Sequence, residues 1–364
     1  MKKVGILFGG KSAEHEISLL SAKNIYEAID RNKFEPVLIG IDKTGRWILN
    51  DADRFLLNEN NAALVELNTN GKNVSLRTDR NSFTAESGKD LNLDVIFPVL
   101  HGPFGEDGAV QGFLKLADIP YVGAGVLGSA VGMDKDVMKR LLRGADIPVG
   151  KFIALKNHEK IPSFSEIEAA LSSDGVSGSP FFVKPANMGS SVGISKVRDE
   201  SELEDALKTA FLYDTKIIIE EFIPGREIEC AVLGNEEPLA SIPGEVITAH
   251  DFYSYDAKYL DEKGAALEIP AMIDEDAKKR IMDLSVKVFN TLCCEGLARV
   301  DFFLKENGEI IVNEINTMPG FTKISMYPKM WEASGIPYTD LITRLIGLAI
   351  NRYEKESKLK TTVA

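Results

Sequence analysis

Leu297-Ala298-Arg299-Val300-Asp301-Phe302-Phe303-Leu304 and, after a short break, Ile310-Ile311-Val312-Asn313-Glu314-Ile315-Asn316 decide how this chain folds. Two apolar runs flank Glu306-Asn307-Gly308, a strong turn sequence, so the stretch is predicted to be a β-hairpin. Side chains alternate along a strand. Arg299 and Asp301 therefore share one face, and Val312, Glu314 and Asn316 share one face of the partner. A turn of two or three residues sets Asp301 opposite residue 313 or 314, and Asp301, Glu314 and Asn316 can then converge. A buried sheet has no need of two carboxylates and a carboxamide at its end. Magnesium does, because it takes hard oxygen ligands and bridges to substrate phosphates. Without a cation the carboxylates repel and one tends to hold a proton. A solvated polar face is the other reading of the same alternation.

Around the hairpin, residues 226–364 are expected to form an α+β lobe. Strands at Arg226–Leu233 and Leu239–Ile247 flank a turn at Asn235–Pro238, and a helix spans about 274–292. A long loop over 248–264 carries Tyr253, Tyr255, Lys258 and Tyr259, and a last helix near 339–354 is expected to be capped by Thr339. Residues 134–225 are expected to form a second, smaller α+β lobe with an antiparallel sheet. Ser163 and Glu166 make a capping box there. A strand through Lys184 runs into the loop Gly189-Ser190-Ser191-Val192-Gly193, whose backbone N–H groups together with one lysine can hold a polyphosphate. An ordinary hairpin loop is the alternative. Glu220-Glu221-Phe222-Ile223 closes a strand of isoleucines, which is read as a sheet edge able to offer backbone groups to a flat base.

Residues 1–133 alternate strands and helices, which implies a parallel sheet with ligands at the carboxyl ends of its strands. Val4–Phe8 runs into Gly9-Gly10, and a helix follows with Ile17, Leu20, Ile25, Ala28 and Ile29 on one side. Val95–Leu100 runs into His101-Gly102. A lone histidine so placed is more often structural than catalytic. Residues 50–92, polar and Asn-rich, are expected to be exposed loops and minor strands, and a single helix is expected over about 126–143.

Composition narrows the function classes. The net charge of −13 over 364 residues opposes nucleic acid as a partner, which would need clustered Lys and Arg. The three cysteines, Cys230, Cys293 and Cys294, fit neither a disulfide framework nor a metal site, and point to a reducing compartment. No run approaches the roughly 20 apolar residues of a membrane span, so a cytoplasmic protein is expected. Gly-x-x-x-x-Gly-Lys-Ser/Thr is absent, and so is the Gly-x-Gly-x-x-Gly of dinucleotide enzymes.

Five blocks then resemble one family. These are Gly9-Gly10-Lys11-Ser12-Ala13-Glu14-His15-Glu16-Ile17-Ser18, His101–Gly108, Lys184–Gly193, Arg299–Phe302 and Asn313–Thr322. In this order, over nearly the whole chain, they resemble the D-alanine–D-alanine ligases of the ATP-grasp superfamily. The resemblance implies a Rossmann-like N-terminal α/β domain that binds the first D-alanine, followed by an ATP-grasp fold of two α+β lobes. It implies ATP as co-substrate, two Mg2+ or Mn2+ ions, a homodimer, and formation of D-alanyl-D-alanine for peptidoglycan through a D-alanyl phosphate.

Carried over position by position, Lys135, Lys184, Ser190 and Ser191 look like phosphate contacts. Glu220, Glu221, Phe222 and Ile223 look like the adenine segment, and Glu227 like the ribose contact. Asp301, Glu314 and Asn316 resemble the metal ligands. Glu14, with His101 nearby, resembles the holder of the first ammonium, and Ser190, Tyr259 and Glu14 a hydrogen-bonded set closing the site. Lys258 would reach the transferred phosphate from a lid at 248–264. Arg299 and the Gly320 N–H resemble the groups that stabilise the tetrahedral intermediate, and Ser325 and Met326 the contacts to the second carboxylate. A D-alanine–D-lactate ligase is the nearest alternative, against which Tyr259 speaks. Another ATP-grasp carboxylate–amine ligase should lack the first block. A binding module with dead chemistry should lack Arg299 or a metal ligand, and a dehydrogenase should carry the glycine pattern that is missing here.

Overall fold

The computed structural model describes residues 1–59, 61, 64–77, 82–172, 177–248 and 265–362. Lys258, Tyr259 and nearly all of the expected lid lie outside the described residues. Three sheets organise the chain, and each follows from the periodicity of its strands.

The first sheet centres on β1 (Lys2–Gly9), which is buried on both faces from Val4 to Phe8. It pairs in parallel with β2 (Phe34–Ile41) and with β8 (Val95–Val99). The expected parallel sheet is thus present at its centre. Residues 50–92 contribute more than was expected of them. The antiparallel strands β3 (Trp47–Asn50), β6 (Lys72–Arg77) and β7 (Ser82–Ala85) extend the sheet. The short strands β4 (Leu56–Leu57) and β5 (Glu66–Leu67) pair beside it. Phe83 is fully buried and stacks on Trp47 at 5.5 Å. Its neighbours Ser82 and Thr84 are polar, so one deep aromatic in a polar run hid the strand.

The second sheet is antiparallel, as expected, in the order β11 (Ser195–Val197), β10 (Phe181–Pro185), β12 (Lys216–Glu221) and β9 (Phe152–Lys156). The expectation of a sheet edge at Glu220 and Glu221 is corrected here. The strand β12 is paired on both sides, so its ladder groups are already used. The capping box of Ser163 and Glu166 is present.

The third sheet holds β16 (Ala265–Glu268), β15 (Gly244–Thr248), β13 (Arg226–Gly234), β17 (Gly296–Leu304) and β18 (Ile310–Asn316), with β14 (Leu239–Ala240) on β13. The hairpin β17–β18 forms with Asp301 opposite Glu314 and Arg299 opposite Asn316, and a register irregularity follows Asp301. Two helix boundaries differ from expectation. The stretch 126–143 is two helices, Val126–Met133 and Lys135–Gly144, because Asp134 leaves the helical region and caps the second through Val137 N–H. The last helix, Tyr338–Glu356, starts after Pro337, with no side-chain cap from Thr339.

One core joins the first and third sheets. Phe8, Phe97 and Val99 pack with Phe321, Tyr327, Trp331 and Leu345. Phe97 meets Phe321 edge to face at 5.7 Å, a contact worth about 1 kcal/mol beyond its burial. Buried Arg352 donates to the carbonyls of Gly123 at 2.6 Å and Tyr121 at 2.8 Å, fastening the last helix to the N-terminal layer. The helix Lys135–Gly144 packs through Met138 and Leu142 on the core of the third sheet, whereas residues 155–219 keep a core of their own. Among the described residues no helix is long and apolar enough to cross a membrane.

Candidate active site

The second sheet brings its cations to one buried point. Lys184 on β10 reaches Glu220 at 2.6 Å, and Lys139, from the helix Lys135–Gly144, reaches the other oxygen at 2.8 Å. Burial alone would raise Glu220, but Lys139 and Lys184 more than offset it and hold the carboxyl down at about 2. Burial pulls Lys139 below the ordinary lysine range. It acts on Lys184 in the same sense, yet Glu220, Glu314 and Glu227 together hold Lys184 above that range. Lys135 sits one helical turn before Lys139, donates to the Met188 carbonyl at 2.7 Å and faces Glu314 at 3.3 Å. Lys135 thus reaches the residue before the loop 189–193, Lys184 lies on the strand that leads into it, and Lys139 joins Glu220 to the Asn313 carbonyl at 3.1 Å. In that loop Ser190 and Ser191 both take positive φ, +50° and +60°. Two consecutive non-glycine residues held so cost of order 1–2 kcal/mol each.

Glu221 and Phe222 diverge at the end of β12. The Glu221 carboxylate accepts the Lys151 N–H at 2.6 Å, so its side chain serves the fold. Phe222 is part-exposed, with the Lys196 ammonium 4.2 Å from its ring centre. Ile223 lies two residues past Glu221, the last paired residue, where the backbone is no longer committed to the ladder.

The hairpin delivers the predicted triad. Asn316 Nδ2 donates to Asp301 at 3.1 Å, and Arg299 grips Asp301 with two bonds of 2.7 Å. Arg299 also lies 3.0 Å from Glu229, which faces Asp301 across β13–β17. Glu314 has Lys135 for its cation. The triad offers only oxygens to a metal. Two carboxylates and a carboxamide are too few for an all-protein cage, and they suit a magnesium-type ion that completes its shell with phosphate and water. Among the described residues no cluster of three His, Cys, Asp or Glu forms such a cage. The donor chemistry therefore fits a divalent ion arriving with a nucleotide.

The amino-acid side is built differently. Glu14 precedes the helix His15–Ala28, is almost fully buried, and its carboxylate accepts the Ser190 hydroxyl. Glycines let two loops close on it. A Cβ on Gly102, whose φ is +75°, would stand 2.6 Å from Glu14 Oε2, and one on Gly189 would stand 3.0 Å away. His101 donates through Nδ1 to the Met318 carbonyl at 2.9 Å, which fixes its tautomer, and its Nε2 meets Ser21 Oγ at 3.2 Å. Burial outweighs the Met318 bond and pushes the imidazole down to about 4, so it is neutral and braces the Met318–Phe321 loop. Gly320 packs beside Ser325: a Cβ on it would stand 2.8 Å from Ser325 Oγ. Ser325 bonds Thr322 at 2.7 Å and precedes the helix Met326–Ala333. The Met326 side chain lies in the core, which leaves its backbone N–H as the group available at that helix start.

Three buried charged residues at this site escaped sequence reasoning. Lys139 follows Lys135 by four residues, a spacing that marks one helix face. Glu229 alternates with Glu227 along β13, a period-2 signal. Glu106 lies in the loop after His101 and had no such signal.

The comparisons agree with this geometry. Residues 3–124 match the family model "D-ala D-ala ligase N-terminus", and residues 141–347 match "D-ala D-ala ligase C-terminus". A D-alanine–D-alanine ligase of Shouchella clausii is 55% identical, over 100% of this chain and 98% of the relative. D-alanine–D-alanine ligase A of Escherichia coli K12 is 51% identical, over 99% of both. Among solved structures, a D-alanine–D-alanine ligase from Coxiella burnetii superposes with a TM-score of 0.84 at 39% identity, covering 98% of each chain. The VanG D-Ala:D-Ser ligase of Enterococcus faecalis gives 0.84 at 38% identity, covering 96% of this chain and 99% of that one. Matched from end to end in sequence and fold, the chain belongs to the D-alanine–D-alanine ligase family.

Proposed function

We propose that this chain joins two D-alanine molecules with ATP, giving ADP, phosphate and D-alanyl-D-alanine for peptidoglycan precursors. One observation carries the reading beyond family membership. At the loop 189–193 a lysine side meets a carboxylate side: Lys135 bonds the Met188 carbonyl and faces Glu314 of the triad Asp301, Glu314 and Asn316, while Ser190 bonds Glu14. A carboxylate is a poor electrophile, and transfer of a phosphoryl group to it supplies a leaving group. Lys135, Lys184 and the N–H groups of Ser190 and Ser191 hold the phosphates, while Glu227 and the segment Glu220–Ile223 take the ribose and adenine. Glu14 orients the first ammonium. Arg299 and the Gly320 N–H stabilise the tetrahedral oxyanion, as preorganised donors do in a site closed to water. Ser325 and the Met326 N–H receive the second carboxylate at a helix start. Bound at the triad, two Mg2+ or Mn2+ ions would neutralise the charge developing on the phosphoryl oxygens.

Lys258 and Tyr259 complete the reading as lid residues that exclude water, because an acyl phosphate hydrolyses readily. We further assign the chain to a cytoplasmic homodimer, with boundaries at 1–133, 134–225 and 226–364. The likeness to a D-Ala:D-Ser ligase makes the acceptor the point to test. Purified protein is supplied with ATP, magnesium and D-alanine, alone or with D-serine, D-lactate or L-alanine, and the products are separated. D-alanyl-D-alanine is expected to dominate every mixture. A D-serine or D-lactate product in excess at neutral pH would replace this acceptor assignment.

A further inference from the structure

Glu106 takes no part in the chemistry described so far, yet it sits at the seam of the amino-acid site. It is 9% exposed, and both of its oxygens are engaged by backbone donors. Oε2 accepts the Gly102 N–H at 2.7 Å, and Oε1 accepts the Met318 N–H at 3.1 Å. The Met318 carbonyl, on the other side of the same residue, accepts His101 Nδ1 at 2.9 Å. His101 and Glu106 thus hold both polar backbone groups of Met318, the Gly102 N–H holds Glu106 in turn, and the Phe321 N–H is tied to Ser21 at 3.2 Å. Gly320 lies between these two anchored residues. Gly102 is the residue whose missing side chain lets the loop close on Glu14.

We propose that Glu106 is a positioning residue for the first amino-acid site. With His101 it clamps Met318 by both its N–H and its C=O, and so fixes the Gly320 N–H relative to Glu14. This rests on the roles given above to Glu14 and Gly320. A carboxyl group suits the task because both partners are donors and it presents an oxygen to each. A glutamine presents one oxygen and turns its NH2 toward the other donor. Burial and the nearby Glu14 push the Glu106 carboxyl up to about 8, against the pull of Gly102, Met318 and Arg299. Uncharged, it can sit beside Glu14 without competing for the substrate ammonium.

The test is Glu106→Gln beside Glu106→Asp. Initial rates are measured with D-alanine varied at saturating ATP, and the reverse. Leaving one buried donor unpaired corresponds to roughly a ten- to hundredfold effect. It is expected in the KM for the acyl-supplying D-alanine, with the KM for ATP unchanged within about twofold. Glu106→Asp, which keeps two acceptor oxygens, should recover part of the loss. Parallel rises in both KM values, or no change in either, overturn the clamp. Should Glu106→Gln not fold, Glu106→Asp reads the same split, and a selective or a parallel rise decides in the same way. A wild-type protein that forms no ADP with D-alanine overturns the proposed function. An active wild type with an unselective Glu106→Gln overturns only this inference.

Discussion

Glu106 and Glu220 are both buried glutamates, less than 10% exposed, and their protons are held in opposite senses. Glu220 is kept down at about 2 by Lys139 and Lys184, despite its burial. Glu106 is pushed up to about 8 by burial and by Glu14, and among the described residues its hydrogen-bond partners are the Gly102 and Met318 N–H groups. Burial is common to both, so the difference lies in the neighbours. One side of the site gathers lysines around Glu220, in the proposed function for a polyphosphate. The other gathers Glu14 and Glu106, in the proposed function around an ammonium. In the proposed reaction the phosphoryl group crosses from the first side to the second, and Lys135 joins the lysine side to the triad Asp301, Glu314 and Asn316 through Glu314.

The largest expected effect comes from disturbing that boundary. Glu314→Gln is nearly isosteric and removes one negative charge from the triad. Turnover should fall by orders of magnitude while the melting temperature stays close to wild type. Near-normal turnover at ordinary magnesium would take Glu314 out of the metal site. Raised magnesium should recover part of the rate if the loss is one of ion binding.

A smaller effect sharpens the comparison itself, through stability against pH. The Glu106 carboxyl titrates higher folded than unfolded, so its contribution is complete below about 4.5 and is lost as pH rises through about 8. Glu220 titrates lower folded than unfolded, so its contribution is present above about 4.5 and is lost as pH falls through about 2. Denaturation midpoints from pH 5 to 9 should therefore decline less in Glu106→Gln than in wild type. Glu220→Gln should leave that limb alone and flatten the acid one. The same alkaline slope in Glu106→Gln and wild type would mean that Glu106 is ionised throughout.

Local pattern carried much of this site in the sequence. Alternation in β17 and β18 and the turn at Glu306-Asn307-Gly308 set Asp301 against residue 313 or 314, and the register irregularity after Asp301, which the sequence does not announce, selects Glu314. The capping box of Ser163 and Glu166 and the strand–loop at Lys184–Gly193 were equally plain, because each is settled within ten residues. What escaped depends on contacts between distant segments. The strand Lys216–Glu221 passed for an edge because the strand that covers it, Phe152–Lys156, lies some sixty residues earlier. Lys139 shows its helix face but not its burial against Glu220. Glu106 gives no local sign that Met318, 212 residues away, will come to bond it. The strands within 50–92 were hidden because their buried positions, such as Phe83, are isolated among polar residues.

The central claim is that a phosphoryl group passes from the lysine-lined side to a carboxylate oxygen of the amino acid held beside Glu14. D-alanine labelled with 18O in its carboxylate tests it directly. With unlabelled ATP and magnesium in ordinary water, each dipeptide formed should leave one 18O in the inorganic phosphate released, and the nucleotide product should be ADP. Unlabelled phosphate, or AMP with pyrophosphate, would contradict the claim.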